Sequence, residues 1–133
     1  MTESTTIKSA RPNGGFTLIE LLVVIGILGV LAAIALQQMA LYRLRAFDAL
    51  AESDLRNAAT AEEALYATKS SYLTCGDATT CEAGLPGYRR SNGVSLAMSS
   101  ATGAFTGTSA HVNGSKTWSF DTADGRLIFS LTP

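Results

Sequence analysis

Glu20 is the first residue to explain, because it is a lone carboxylate at the head of a long apolar run, "GGFTLIELLVVIGILGV". Every residue from Leu21 to Leu36 is apolar or glycine, and no charge returns until Arg43. An isolated carboxylate at the centre of a membrane helix costs roughly 2.5–3.5 kcal/mol on insertion scales, so such residues usually mark a function or a partner. From the residues alone two readings stand: an acid in the first turn that opposes the helix dipole near lipid headgroups, or one half of a pair. Cys75 and Cys81, which enclose "GDATT", are the second candidate group. Two cysteines are too few for a structural zinc site, and the lone His111 is distant in sequence, so no metal is expected.

No catalytic constellation accompanies these residues. One histidine, two cysteines and scattered acids offer no nucleophile–base pair, and the Gly-rich "ATGAFTGTS" lacks the spacing of a phosphate loop. An enzyme is not expected, and no cofactor is implied. Lys+Arg 10 against Asp+Glu 11 gives a formal charge of −1, which is not the footprint of a nucleic-acid partner.

The elements that must position Glu20 follow from hydropathy. A chain of 133 residues supports one small domain, and its 47% hydrophobic content is unevenly spread: dense from Phe16 to Leu36, but Gly/Ser/Thr/Ala-rich from Ser70 to Thr117. The remaining chain is too short to wrap a helix that is apolar all round. A bilayer span, which needs about 20 helical residues, fits better. A secretory signal fails on order, because its small-residue cleavage site follows the apolar region, whereas Gly14-Gly15 precedes it here. The pattern then runs on without a break: Leu41, Leu44, Phe47, Ala51, Leu55, Ala58, Glu62 and Leu65 recur at spacings of three and four. One continuous helix from about Phe16 to Lys69 is expected, about 80 Å long at ~1.5 Å per residue.

On these residues the chain resembles type IV pilins, type IVa major pilins in particular, with the type II secretion pseudopilins as close relatives. "GGFTLIELLVVIGILGVLAAIAL" carries the likeness, and "YRLRAFDALAESDLRNAATAEEALY" extends it. The resemblance implies a leader, residues 1–15, removed by a prepilin peptidase that cuts after Gly15 and N-methylates Phe16. It implies an apolar helix, 16–42, that sits in inner-membrane lipid as a precursor and then forms the core of a helical homo-oligomeric filament built on an assembly platform. Glu20 would then meet the Phe16 amine of a neighbouring subunit. Residues 43–70 would be the amphipathic half of the same helix, and 71–133 a globular, β-rich head outside the cell. Motility, adhesion or DNA uptake are the roles the resemblance implies. The alternatives are a pseudopilin and a single-span membrane-anchored binding module.

The sequence departs from the family pattern in three places. Relatives have Ala-Ile-Pro-Gln where this chain has Ala35-Leu36-Gln37-Gln38, so any loosening of the helix falls to Gly26 and Gly29, each costing about 1 kcal/mol relative to Ala. The leader is longer than those common in type IVa pilins. A disulfide between Cys75 and Cys81, which an outside location permits, would lie at the helix-to-sheet connection rather than in a C-terminal loop. Charge does not settle orientation, since Lys8 and Arg11 on one flank match Arg43 and Arg45 on the other.

Gly26, Gly29 and Ala33 fall near one helix face, where small residues permit close helix packing, with plain lipid exposure as the alternative. In the second half Arg43, Arg45, Asp48, Glu52, Asp54, Arg56, Glu62 and Glu63 read as the wetter side. Glu52 and Arg56 are placed for an i,i+4 pair, and Leu44, Phe47, Ala51, Leu55 and Ala58 form the stripe under the head. Beyond Pro86, Val94 to Met98, Ala110 to Val112, Ser115 to Asp121 and Arg126 to Leu131 read as strands, with Asn113-Gly114 and "TADG" as turns. The fold class expected is α+β: a long helix of about 16–69 packed by a small antiparallel sheet of about four strands.

Overall fold

The computed structural model describes residues 14–131. Helix α1 spans Leu18–Lys69, α2 Ala78–Gly84, and the strands are β1 Val94–Ala101, β2 Ala104–His111, β3 Lys116–Asp121 and β4 Arg126–Leu131. The expected α+β architecture is present. The four strands form one antiparallel sheet in the order β1-β2-β3-β4. The chain divides into two compact units, one ending at Gln37 and the other beginning at Gln38.

In the first unit Gly14 to Thr17 lie outside any helix or strand and are exposed, and α1 begins at Leu18. Its apolar side chains from Leu18 to Leu36 are exposed along the whole stretch. The helix is long and apolar enough to cross a membrane. It stays α-helical through Gly26, Gly29 and Gln37, as a helix with neither proline nor inserted side chains should.

The second unit packs the rest of α1 against the inner face of the sheet. Ala51, Leu55, Ala58, Ala61 and Leu65 of the helix meet Leu96, Met98, Phe105 and Trp118 of the strands, with Leu85 and Tyr88 closing one side. Small residues on α1 let the helix come close, and Gly107 of β2 completes the fit: a Cβ there would stand 2.6 Å from Met98 Sδ and 2.8 Å from Leu55 Cδ1. Leu44 and Phe47, expected beneath the head, are half-buried at its end.

Two expectations need correction. Asp48, Asp54 and Glu62 do not lie on a solvated side of α1; all three are buried, because each accepts hydrogen bonds from a segment folded over the helix. The second strand, expected over Ala110 to Val112, runs instead over Ala104–His111, and the Gly-rich "ATGAFTGTS" supplies most of it. Gly103, at φ 75°, makes the turn that only a residue without a Cβ adopts easily, and β1 and β2 pair from Val94↔His111 to Ala101↔Ala104. Val112 lies outside β2, in the turn that Asn113-Gly114 signalled. Between the two cysteines "GDATT" opens α2: Asp77 caps the helix, accepting from the N–H groups of Thr79 and Thr80, while Thr80 Oγ1 accepts from Asp77 N.

Candidate functional site

Gly15 and Phe16 stand in open chain immediately before α1, and Phe16 is 88% exposed. Glu20 lies in the first turn of α1. Its Oε2 accepts from Thr17 N at 2.9 Å and from Thr17 Oγ1 at 2.9 Å, while Thr17 Oγ1 accepts from Glu20 N at 3.2 Å. Thr17 and Glu20 therefore form the reciprocal capping box that the pattern Thr-x-x-Glu builds at a helix start. Thr17 is the site residue that the reading of Glu20 alone missed, and its signal was the spacing of three.

The capping box changes the chemistry available to Glu20. In a single chain the carboxylate has one oxygen committed to Thr17, and its other oxygen makes no hydrogen bond to the described residues. A carboxylate accepts at both oxygens, so an ammonium group could be received without first breaking the cap. Pairing a helix-terminal acid with such a cation is electrostatically favourable, the more so in a medium of low dielectric constant.

Gly26, Gly29 and Ala33 are all exposed, and a Cβ built on either glycine meets nothing within 4 Å. The stripe is open to a neighbouring helix along its length. Among the described residues nothing brings this stripe to Glu20.

Cys75 and Cys81 are joined by a disulfide with Cα atoms 5.2 Å apart. The bond fastens α2 to the segment leaving α1, and Cys75 also bridges Met98 of β1 through paired backbone hydrogen bonds. Among the described residues no group of His, Cys, Asp and Glu could hold a metal ion. Glu52 and Arg56 form the expected i,i+4 pair at 2.8 Å, exposed and so of small energetic weight.

The three buried acids of α1 are the main discovery of the structure in the second unit. Asp48 accepts from Ser115 N at 2.7 Å, Ser115 Oγ at 2.9 Å and Lys116 N at 3.0 Å, and its backbone oxygen accepts from Trp118 Nε1 at 3.0 Å. Asp54 accepts from Ser91 N and Ser91 Oγ, each at 2.7 Å, with Tyr88 O–H at 3.5 Å. Burial beside that carboxylate pushes the Tyr88 phenol well above its ordinary range. Glu62 accepts from Leu73 N at 2.8 Å through Oε2, while its Oε1 is buried with no hydrogen-bond partner among the described residues. Burial raises the Glu62 carboxyl above the usual carboxylate value; the Leu73 N–H opposes this and the charge of Glu63 adds to it. Each acid thus ties a different connecting segment to one helix, which fixes the head on its stem.

A family model described as the prokaryotic N-terminal methylation motif matches residues 10–36, a segment that contains Gly15, Phe16 and Glu20. The type IV major pilin protein PilA of Myxococcus xanthus (strain DK1622) is 38% identical over 60 residues, which cover 45% of this chain. The aligned part amounts to 27% of that protein's length. Both findings support the likeness to type IV pilins.

Proposed function

We propose that this chain, pilin-like in its N-terminal motif and in its fold, is a structural subunit of a type IV pilus. It is made as a precursor held in the inner membrane by α1, cut after Gly15, N-methylated at Phe16 and polymerised into a helical filament outside the cell. One observation carries the reading. The apolar residues of α1 from Leu18 to Leu36 are exposed throughout, directly behind an open cleavage point and a capped Glu20 with a spare oxygen. Such a surface is tolerable only in lipid or against other helices.

Polymerisation exchanges the first environment for the second. Cleavage at Gly15 creates a positive Phe16 amine, and Glu20 of an adjacent subunit receives it. Gly26, Gly29 and Ala33 let the helices approach closely in the core. The prepilin peptidase, the membrane lipid, the assembly platform and further copies of the chain are the partners this route requires. The head carries no catalytic role in it.

The test combines mass spectrometry of the mature N terminus with electron microscopy of sheared fibres from cells expressing the chain. A mass beginning at methylated Phe16, in fibres that disappear with Glu20→Val, is the expected result. An N terminus at Met1 refutes the processing step, and normal fibre density in Glu20→Val refutes the assembly role. Intact surface fibres together with a secretion defect on deletion of the chain would make it a pseudopilin instead.

A further inference from the structure

The head has Asn-Gly at two turns, Asn92-Gly93 and Asn113-Gly114, with both asparagines exposed. The fold sets the two pairs one position apart in their turns. In the first, Val94 N donates to Ser91 O at 3.3 Å and Gly93 stands third with φ 79°, which is the type II geometry. The peptide joining Asn92 to Gly93 is therefore the middle one of the turn, and the Gly93 N–H makes no hydrogen bond to the described residues. In the second, Gly114 N donates to His111 O at 2.9 Å, so the peptide joining Asn113 to Gly114 is the one that closes the turn. Asn113 N is held as well, by His111 Nδ1 at 3.0 Å, and Asp48 fixes Ser115 and Lys116 immediately after.

An asparagine followed by glycine can lose its side-chain amide without an enzyme. The glycine nitrogen attacks the asparagine Cγ, the Cγ–Nδ2 bond breaks, and the amide leaves as ammonia, taking the proton that the nitrogen gives up. Water then opens one of the two C–N bonds of the cyclic imide, leaving aspartate or an isoaspartate whose main chain runs through one extra methylene. Glycine permits the attack because no Cβ shields its nitrogen or restricts its backbone. A nitrogen whose N–H is bonded inside a turn reacts only after local opening has released it. By that criterion Gly93 is ready and Gly114 is not.

We propose that Asn92 is a site of spontaneous deamidation in the folded head, with water as the only co-reactant, and that the fold protects Asn113 from the same reaction. The product places a carboxylate two residues after Arg90. Arg89 and Arg90 share Glu82 there, at 3.3 and 3.4 Å, so this basic corner of the head loses one unit of charge as the chain ages. In the isoaspartyl form the lengthened main chain lies between Ser91, whose N–H is held by Asp54 at 2.7 Å, and Gly93, whose oxygen accepts from Val112 N at 2.9 Å. The turn has little room to absorb it, since a Cβ on Gly93 would stand 2.7 Å from His111 Nε2.

The inference goes beyond the pilus-subunit reading and does not depend on it. The full chain in detergent micelles is held in mildly alkaline buffer made with heavy-oxygen water, sampled over weeks, digested and mapped by mass spectrometry. A second sample is unfolded in guanidinium chloride with its disulfide reduced. The heavy oxygen separates amides lost during incubation from those lost during digestion. The expected result is loss of the Asn92 amide at least about tenfold faster than that of Asn113 in the folded chain, with similar rates at the two sites once the chain is unfolded. A folded Asn92 that keeps its amide, or that loses it no faster than Asn113, overturns the proposal. A tenfold gap that persists in the unfolded chain overturns the part assigned to the fold. Asn92→Gln should remove the acidic species that isoelectric focusing resolves in aged, folded wild type, and persistence of that species in the variant overturns the assignment to Asn92.

Discussion

Replacing Asp48 with alanine should strip the β2–β3 turn from α1. The side chain accepts three hydrogen bonds, two of them from backbone N–H groups, and it is buried. At about 1–1.5 kcal/mol net for each bond the loss would be about 3–4 kcal/mol. Ser115 and Lys116 are only half-buried, so water replaces part of this and about 2–3 kcal/mol remains. For a domain near one hundred residues each kcal/mol moves the melting temperature by about 4–8 °C, giving a fall of about 10–20 °C. Asp48→Asn keeps one acceptor oxygen for the two backbone donors and should cost only about 1 kcal/mol. The assay is built into the chain: Trp118 is the single tryptophan, and its Nε1–H donates to Asp48 O. Its fluorescence, followed on heating the full chain in detergent micelles, reports the turn directly. An alanine variant melting within about 3 °C of wild type would refute the idea that this carboxylate fastens the head.

Two further predictions concern the same helix–sheet junction. Glu62 has its folded-state pKa raised above the ordinary 4.5, so the folded head binds a proton more tightly than the unfolded chain does, and stability falls as pH rises from about 4.5 through the raised value. Glu62→Gln should lack that fall; parallel stability curves for wild type and variant between pH 4 and 8 would disprove it. Gly107→Ala forces a methyl against buried Met98 and Leu55 and should destabilise by about 1–3 kcal/mol, measured by denaturant midpoint, whereas an unchanged midpoint would show that the helix can shift aside.

Much of the fold is legible in the sequence because its signals are local. The helix reads from spacings of three and four uninterrupted by proline, β3 and β4 from alternation around Trp118 and Leu127, and the turn before β3 from Asn113-Gly114. What escapes such reading depends on tertiary approach. Asp48 and Glu62 sit on the apolar spacing of three and four but are charged, so residue type argues for water where position argues for the core; the connecting segments that fold over them and over Asp54 decide for burial. The β1–β2 hairpin hides in small residues, since Gly107 sits beneath α1, where a larger side chain would not fit. The capping box at Thr17 is local and legible as Thr-x-x-Glu, a spacing of three that the charge of Glu20 taken by itself does not reveal.

The way these three acids make their contacts has a bearing on variation. Asp48 and Asp54 accept from the main-chain N–H groups of Ser115, Lys116 and Ser91, and Glu62 from that of Leu73. A main-chain donor is the same whatever residue bears it, proline excepted. Apart from Ser91 and Ser115, whose hydroxyls also donate to Asp54 and Asp48, loop side chains can therefore change while the helix goes on gripping the same backbone. The hold of the head on the second half of α1 is thus written in the helix, and the connecting segments are free to change around it.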